Sequence, residues 1–170
     1  MKSYSKLYIV IPLLALSFLW ITSCESDDLC DQKVNTPQLV IRFRDMSTQK
    51  EKKVSNLIVY GEGKNTLLIN ASTDSIALPL KVTEPKTSYV MVSNANYNNT
   101  TGEITGGDMT TITFTYQVQE EFVSRACGFK ATYNTVSATI ENPDDTWIQS
   151  INVTKTEVEN EKNAHIQLYH

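Results

Sequence analysis

The chain has 170 residues, 41% hydrophobic and 9% aromatic, and a formal net charge of −4. That length suits one domain with a buried core. The densest basic cluster, Lys50-Glu51-Lys52-Lys53, carries its own acid. Nucleic acid and a polybasic grip on a membrane are therefore excluded, because each needs several cations on one face.

Lys2 and Lys6 stand before an apolar run from Leu7 to Trp20, which Ile21-Thr22-Ser23 joins to Cys24. A basic start, an apolar middle and small residues at the cut form a secretory leader. The run is shorter than the about 20 apolar residues of a spanning helix, and Pro12 interrupts it. A retained anchor or a soluble secreted chain is the rival reading. Ile21-Thr22-Ser23-Cys24 resembles a bacterial lipoprotein signal. The resemblance implies that leader 1–23 is removed, that the Cys24 thiol takes a diacylglycerol, and that fatty-acid chains of the palmitate kind hold the protein in membrane lipid. Losing Lys2 and Lys6 moves the net charge from −4 to −6. The acidic patch Glu25-Ser26-Asp27-Asp28 resembles the export signal that follows the lipidated cysteine in Bacteroidota lipoproteins. It implies an outer-membrane protein on the cell surface rather than on the periplasmic face. Read from charge alone, the same patch is a solvated linker.

The remaining cysteines are Cys30 and Cys127. With Cys24 consumed by lipid, an oxidising envelope makes them the expected disulfide. Two buried free thiols are the alternative. Closing so long a loop contributes roughly 4–5 kcal/mol as an upper figure. The chain from Cys24 to Cys30 spans at most about 20 Å. Residues 24–37 thus form a short tether, and residues 38–170 are expected to form a single domain held near the bilayer or a membrane-embedded partner.

The domain reads as strands. Gln38–Arg44 alternates Leu39, Ile41 and Phe43 with other residues, the period-two mark of a half-buried strand. Val54–Tyr60 and Thr66–Asn70 flank the turn cluster Gly61-Glu62-Gly63-Lys64-Asn65 and predict a hairpin. Ser75–Leu80 is short, and Pro79 places it at an edge. Tyr89–Ser93 follows. The Asn- and Gly-rich stretch from Asn94 to Asp108 predicts a mobile loop, with a brief strand at Ile104. Met109–Phe122 alternates Ile112, Phe114, Tyr116 and Val118 with Thr111, Thr113, Thr115 and Gln117. Phe129–Ile140 is extended, Asn142-Pro143-Asp144-Asp145 is a turn, and Trp147–Val153 and His165–Tyr169 complete the sheet. The only helical candidate, Lys155–Lys162, lacks an apolar face. About nine short strands predict an all-β antiparallel β-sandwich, Ig-like only in the broad sense, with a closed β-barrel as the alternative.

Four blocks occur in order: Val59-Tyr60-Gly61-Glu62-Gly63, Ala77-Leu78-Pro79-Leu80, Thr113-Phe114-Thr115-Tyr116 and Phe122-Val123-Ser124-Arg125-Ala126-Cys127-Gly128-Phe129. Behind a lipoprotein leader they resemble a Bacteroidota lipoprotein family of unknown function. The resemblance implies a small β-rich lipoprotein and brings no activity and no catalytic residue.

The residues themselves offer little chemistry. His165 and His170 lack triad context, and no Gly-x-Ser-x-Gly elbow exists. Zinc needs three or four close ligands. Asp144-Asp145 or Asp27-Asp28 would suit calcium, but an acid after Asn-Pro is ordinary turn chemistry. No catalytic residue, metal or cofactor is therefore expected. Among the aromatics Tyr89, Tyr97, Tyr116, Tyr133, Trp147 and Tyr169, most alternate within strands as core. Tyr97, in the Asn-rich loop, is the expected exposed ligand contact. Asp74-Ser75-Ile76 resembles the short sequence that Bacteroidota O-glycosylate, which would place a sugar on Ser75. The reading that follows is a non-enzymatic lipoprotein, bound to membrane lipid through Cys24. It would serve as an accessory or binding subunit to an outer-membrane protein. The alternative is a surface glycan-binding or adhesion module.

Overall fold

Among the described residues, alternation of apolar and polar residues becomes eleven strands. The structure is a computed structural model that describes Cys30 and residues 35–170. The leader, Cys24 and the patch Glu25, Ser26, Asp27 and Asp28 lie outside the described residues. In chain order the strands are β1 (Leu39–Arg44), β2 (Val54–Gly61), β3 (Leu67–Thr73), β4 (Ser75–Leu78), β5 (Lys86–Ser93), β6 (Asn96–Tyr97), β7 (Ile104–Thr105), β8 (Asp108–Ser124), β9 (Gly128–Ile140), β10 (Ser150–Val153) and β11 (Ile166–Tyr169). Among the described residues no helix forms, and Lys155–Lys162 is irregular.

The chain divides into two compact units. The larger comprises Asn35–Phe122 and Phe129–His170. It holds a four-stranded sheet of order β10-β11-β1-β4 and a five-stranded sheet of order β3-β2-β5-β8-β9. Both sheets stay open, so the fold is all-β and sandwich-like, not a closed barrel. Leu39, Ile41, Phe43, Ile76, Leu78, Ile166 and Leu168 from one sheet meet Leu57, Val59, Met91, Ile112, Phe114 and Tyr133 from the other in one buried cluster. Each sheet buries one face this way. β3 passes to β4 through Asp74 alone, and the chain changes sheet at that corner; the Asp74 carbonyl accepts the Phe43 N–H at 2.8 Å. β4 is an edge strand that stops before Pro79, as a residue without an N–H requires.

Three features depart from the sequence-based expectation. β1 and β11 pair in parallel, Ile41 opposite Ile166, within a sheet that is otherwise antiparallel. The last segments also begin late: Trp147 precedes β10, and His165 precedes β11. The Asn94–Asp108 stretch, expected to be mostly loop, folds as the small hairpin β6–β7, with Asn96 opposite Thr105 and Tyr97 opposite Ile104. These two strands raise the count from about nine to eleven.

The small hairpin has a physical cause. Ile58, Val90, Val92 and Ala95 form a second buried cluster on the outer face of the five-stranded sheet, and Tyr60, Leu67, Tyr97 and Ile104 pack against it. β2 and β5 are thereby covered on both faces, which explains the unbroken burial of Leu57-Ile58-Val59 and Tyr89-Val90-Met91-Val92. Gly107 brings the chain back at φ +83°, with space for its missing Cβ only 2.5 Å from the Ser93 carbonyl oxygen and 2.9 Å from Val92 Cγ1. Gly107→Ala is therefore expected to cost about 3 kcal/mol, from left-handed strain plus a backbone clash. Urea denaturation checks this, and amide exchange should rise first across 94–108.

In the edge strand β9, Thr135 sits at φ 53°, in the left-handed region. Its outward amides are taken up: Tyr133 N–H by Val158 O at 3.2 Å, Val136 N–H by Thr156 O at 2.9 Å and Ala131 N–H by Thr36 Oγ1 at 3.2 Å. A covered edge resists pairing with another chain.

The smaller unit contributes Val123–Gly128 and Cys30 to the described residues. Arg125-Ala126-Cys127 is a three-residue turn closed by Gly128 at φ 72°, the left-handed position such a loop requires. Cys127 N–H donates to Ser124 Oγ at 3.0 Å. Cys30 and Cys127 form the expected disulfide, with Cα atoms 4.9 Å apart and a separation of 97 positions in sequence.

Candidate functional site

After β4 the chain crosses between sheets through Pro79-Leu80-Lys81, where no ladder serves the carbonyls. Three tyrosines from three neighbouring strands do so instead. Tyr89 of β5 donates its hydroxyl to Pro79 O. Tyr133 of β9 donates to Leu80 O at 2.9 Å, and Tyr116 of β8 to Lys81 O at 2.9 Å. Thr87 Oγ1 lies 2.6 Å from the Tyr116 hydroxyl and accepts the Lys81 N–H at 3.0 Å. Tyr116 and Tyr133 meet edge to face at 5.1 Å. Burial is the main force raising all three phenols, and that of Tyr133 is pushed up to about 12. They therefore stay protonated and donate near neutral pH.

This clamp shapes the floor of an open cleft of about 390 Å³. Leu68, Pro79, Leu80 and Tyr89 supply apolar surface, and Glu62, Lys64, Lys81, Glu84 and Lys86 supply charge. Lys81 Nζ pairs with Glu84 Oε2 at 2.9 Å. The pair holds the lysine above and the carboxyl below their ordinary values. The hydroxyls lining the cleft are occupied in part: Thr87 as described, and Ser88 by Thr113 Oγ1 at 2.8 Å. An apolar floor with a charged rim can seat an extended chain. β3 borders it as an edge strand, with Leu68 exposed.

His165 is 2% exposed and joins β1 to the segment before β11. Val40 N–H donates to its Nδ1 at 3.0 Å, and its own N–H donates to Val40 O at 2.8 Å. A nitrogen that accepts an amide is unprotonated, so the ring is neutral with its proton on Nε2. Burial lowers its pKa, while a backbone hydrogen bond at Asn160 works the other way. A lowered folded pKa means that the unfolded chain takes up the proton first. Stability is then full above about pH 6.5 and falls as pH drops from there through the folded pKa. His170, lowered chiefly by burial, acts in the same direction. Urea melts at pH 7.5 and pH 5 should show lower stability at pH 5, with a shallower dependence in His165→Gln.

The other residues singled out by sequence are scattered. His170 packs edge-on against Trp147 at 5.6 Å. Asp144 and Asp145 are exposed, and Asp145 N–H closes the turn onto Asn142 O at 3.0 Å. Ser75 is half-buried in β4 and donates its hydroxyl to Ile41 O at 3.3 Å. Tyr97 is half-buried, not the exposed ring expected of a loop residue, because β6 packs it against the outer cluster of Ile58, Val90, Val92 and Ala95. Sequence reasoning missed the cleft, since Leu68, Pro79 and Lys86 come from three separate segments with no motif in common.

The geometry defines an all-β, sandwich-like domain whose buried hydroxyls and imidazole hold backbone. Residues 56–170 match the model of a family of unknown function (DUF6452), and the chain belongs to that family. The match begins inside β2 and so leaves β1 ahead of it. No curated protein and no solved structure matches the chain.

Proposed function

We propose that this protein is an exported lipoprotein of the Bacteroidota outer membrane, held by lipid on Cys24 and displayed at the cell surface. It acts without catalysis, as an accessory or binding subunit for an outer-membrane protein. The observation that carries the reading is the Cys30–Cys127 disulfide, which lies behind a stretch that reads as a secretory leader. Such a bond persists in an oxidising envelope and is rare in a reducing cytosol. The groups otherwise suited to chemistry, the three tyrosine hydroxyls and His165 Nδ1, are committed to backbone atoms. The cleft beside β3 offers a partner's extended segment an apolar floor and a charged rim.

Mass spectrometry of the native protein tests the anchor. It should find Cys24 as the first residue, carrying fatty acid, and Cys24→Ser should move the protein to the soluble fraction. Pull-down from detergent-solubilised membranes should then recover one specific membrane protein, and Leu68→Asp should lose it. An unlipidated residue 24, or a lipidated protein that recovers nothing, overturns the corresponding half of the reading.

A further inference from the structure

β5 pairs with β8 only as far as Thr115, opposite Lys86. β8 continues to Ser124 and β9 begins at Gly128, so both strands run well past the end of β5. On this arm, period-two spacing puts Phe122 on the face of Tyr116 and Val118, and Phe129 on the face of Ala131 and Tyr133. Nearer the core those positions are buried or half-buried. At the far end Phe122 is 57% exposed and Phe129 64% exposed, and their rings meet edge to face at 5.2 Å. Two adjoining phenylalanines in water are costly for a soluble surface and mark a contact. Beside them Lys130 Nζ pairs with Glu121 Oε2 at 2.9 Å, which neutralises both charges. Glu120 and Arg125 are exposed.

The length of chain ahead of the described residues says what covers the pair. Cys127 stands two residues before Phe129, and it is bonded to Cys30. Cys30 stands six residues after Cys24. At no more than about 3.6 Å per residue, the covalent path from Cys24 to Phe129 is on the order of 30–35 Å including the disulfide, shorter than the about 40–45 Å of a whole bilayer with its head groups, so the pair is tethered close to the membrane surface.

We propose that Phe122 and Phe129 form an aromatic foot that enters the acyl boundary of the same bilayer that holds the Cys24 lipid. The inference rests on the lipid-anchor reading above and adds a second contact to it. Membrane binding grows with the apolar area buried, and a second attachment point converts loose tethering into a fixed orientation. The polar Lys130–Glu121 pair and Arg125 stay at head-group level, where charged groups keep their water.

The test uses the full lipidated protein in vesicles of phosphatidylethanolamine and phosphatidylglycerol, some with brominated acyl chains. Phe129→Trp, and separately Phe122→Trp, place a reporter at the foot; both positions are exposed, so the fold should tolerate them. Bromolipid is expected to quench the new indole by about half or more while leaving the Trp147 signal of the unsubstituted protein nearly unchanged. The double variant Phe122→Ser/Phe129→Ser should leave vesicles about tenfold faster, with its lipid intact. Mass spectrometry of Cys24 in the same samples separates the two ideas. If the lipid is present and the indole is unquenched in both single variants, the foot is overturned while the anchor stands. If the indole is blue-shifted only in native membranes and unquenched in pure lipid, a protein partner covers the pair, and the proposal is likewise overturned. If the lipid is absent, the anchor reading fails, and the foot fails with it.

Discussion

Tyr133→Ala is expected to destabilise the domain by about 3–5 kcal/mol, the cost of emptying a large buried aromatic site. Tyr133 is 0% exposed and among the largest fully buried side chains. Its ring meets Tyr116, and its hydroxyl holds Leu80 O at the crossing between sheets. A domain of this size has only about 5–15 kcal/mol in all, so the variant should lie near the threshold of folding. Tyr133→Phe separates the two contributions. It keeps the ring, leaves one buried carbonyl without its donor, and should cost about 1–2 kcal/mol. Urea denaturation of both variants gives the comparison. The same hydroxyl sets an alkaline limit. Its folded pKa of about 12 exceeds the free value of about 10. Stability is thus full below pH 10 and falls as pH rises towards 12, and Tyr133→Phe should lose part of that slope.

Reduction of Cys30–Cys127, or Cys30→Ser with Cys127→Ser, is the second large effect. The bond joins positions 97 apart. By the chain-entropy model its loss costs about 4–5 kcal/mol, a figure that residual structure in the unfolded chain reduces. The Cα separation of 4.9 Å lies within the usual range for a disulfide. The expected result is a lower urea midpoint in reductant. An unchanged midpoint would mean that the unfolded state gains little freedom when the loop is opened.

Much of the sheet was legible because burial on one face writes itself into the chain. Leu39, Ile41 and Phe43 alternate and are all buried, and so are Ile112, Phe114 and Tyr116. Pro79 marked an edge, and two cysteines left once Cys24 is read as a lipid site marked a bond. The misses share a physical origin in partners distant along the chain. Nothing near Asn94–Asp108 shows that Ile58 and Val92 need covering, so its glycines and asparagines read as loop. Nothing near His165 shows that the following strand lies parallel to β1. The tyrosines were placed in the core by alternation, but their hydroxyl partners lie in the 79–81 crossing, which carries no signal of its own. Phe122 and Phe129 flank the turn in sequence. They read as strand ends because exposure depends on where β5 stops.

The parallel pairing of β1 with β11 has a consequence for how the chain comes to its shape. Ile41 cannot find Ile166 until almost every residue between them has been delivered, and β11 is the only link between β10 and β1. Contacts so far apart in sequence close late and slowly. While the chain is still being synthesised, this sheet is one strand short, and a molecule cut before Ile166 should stay open at the same place.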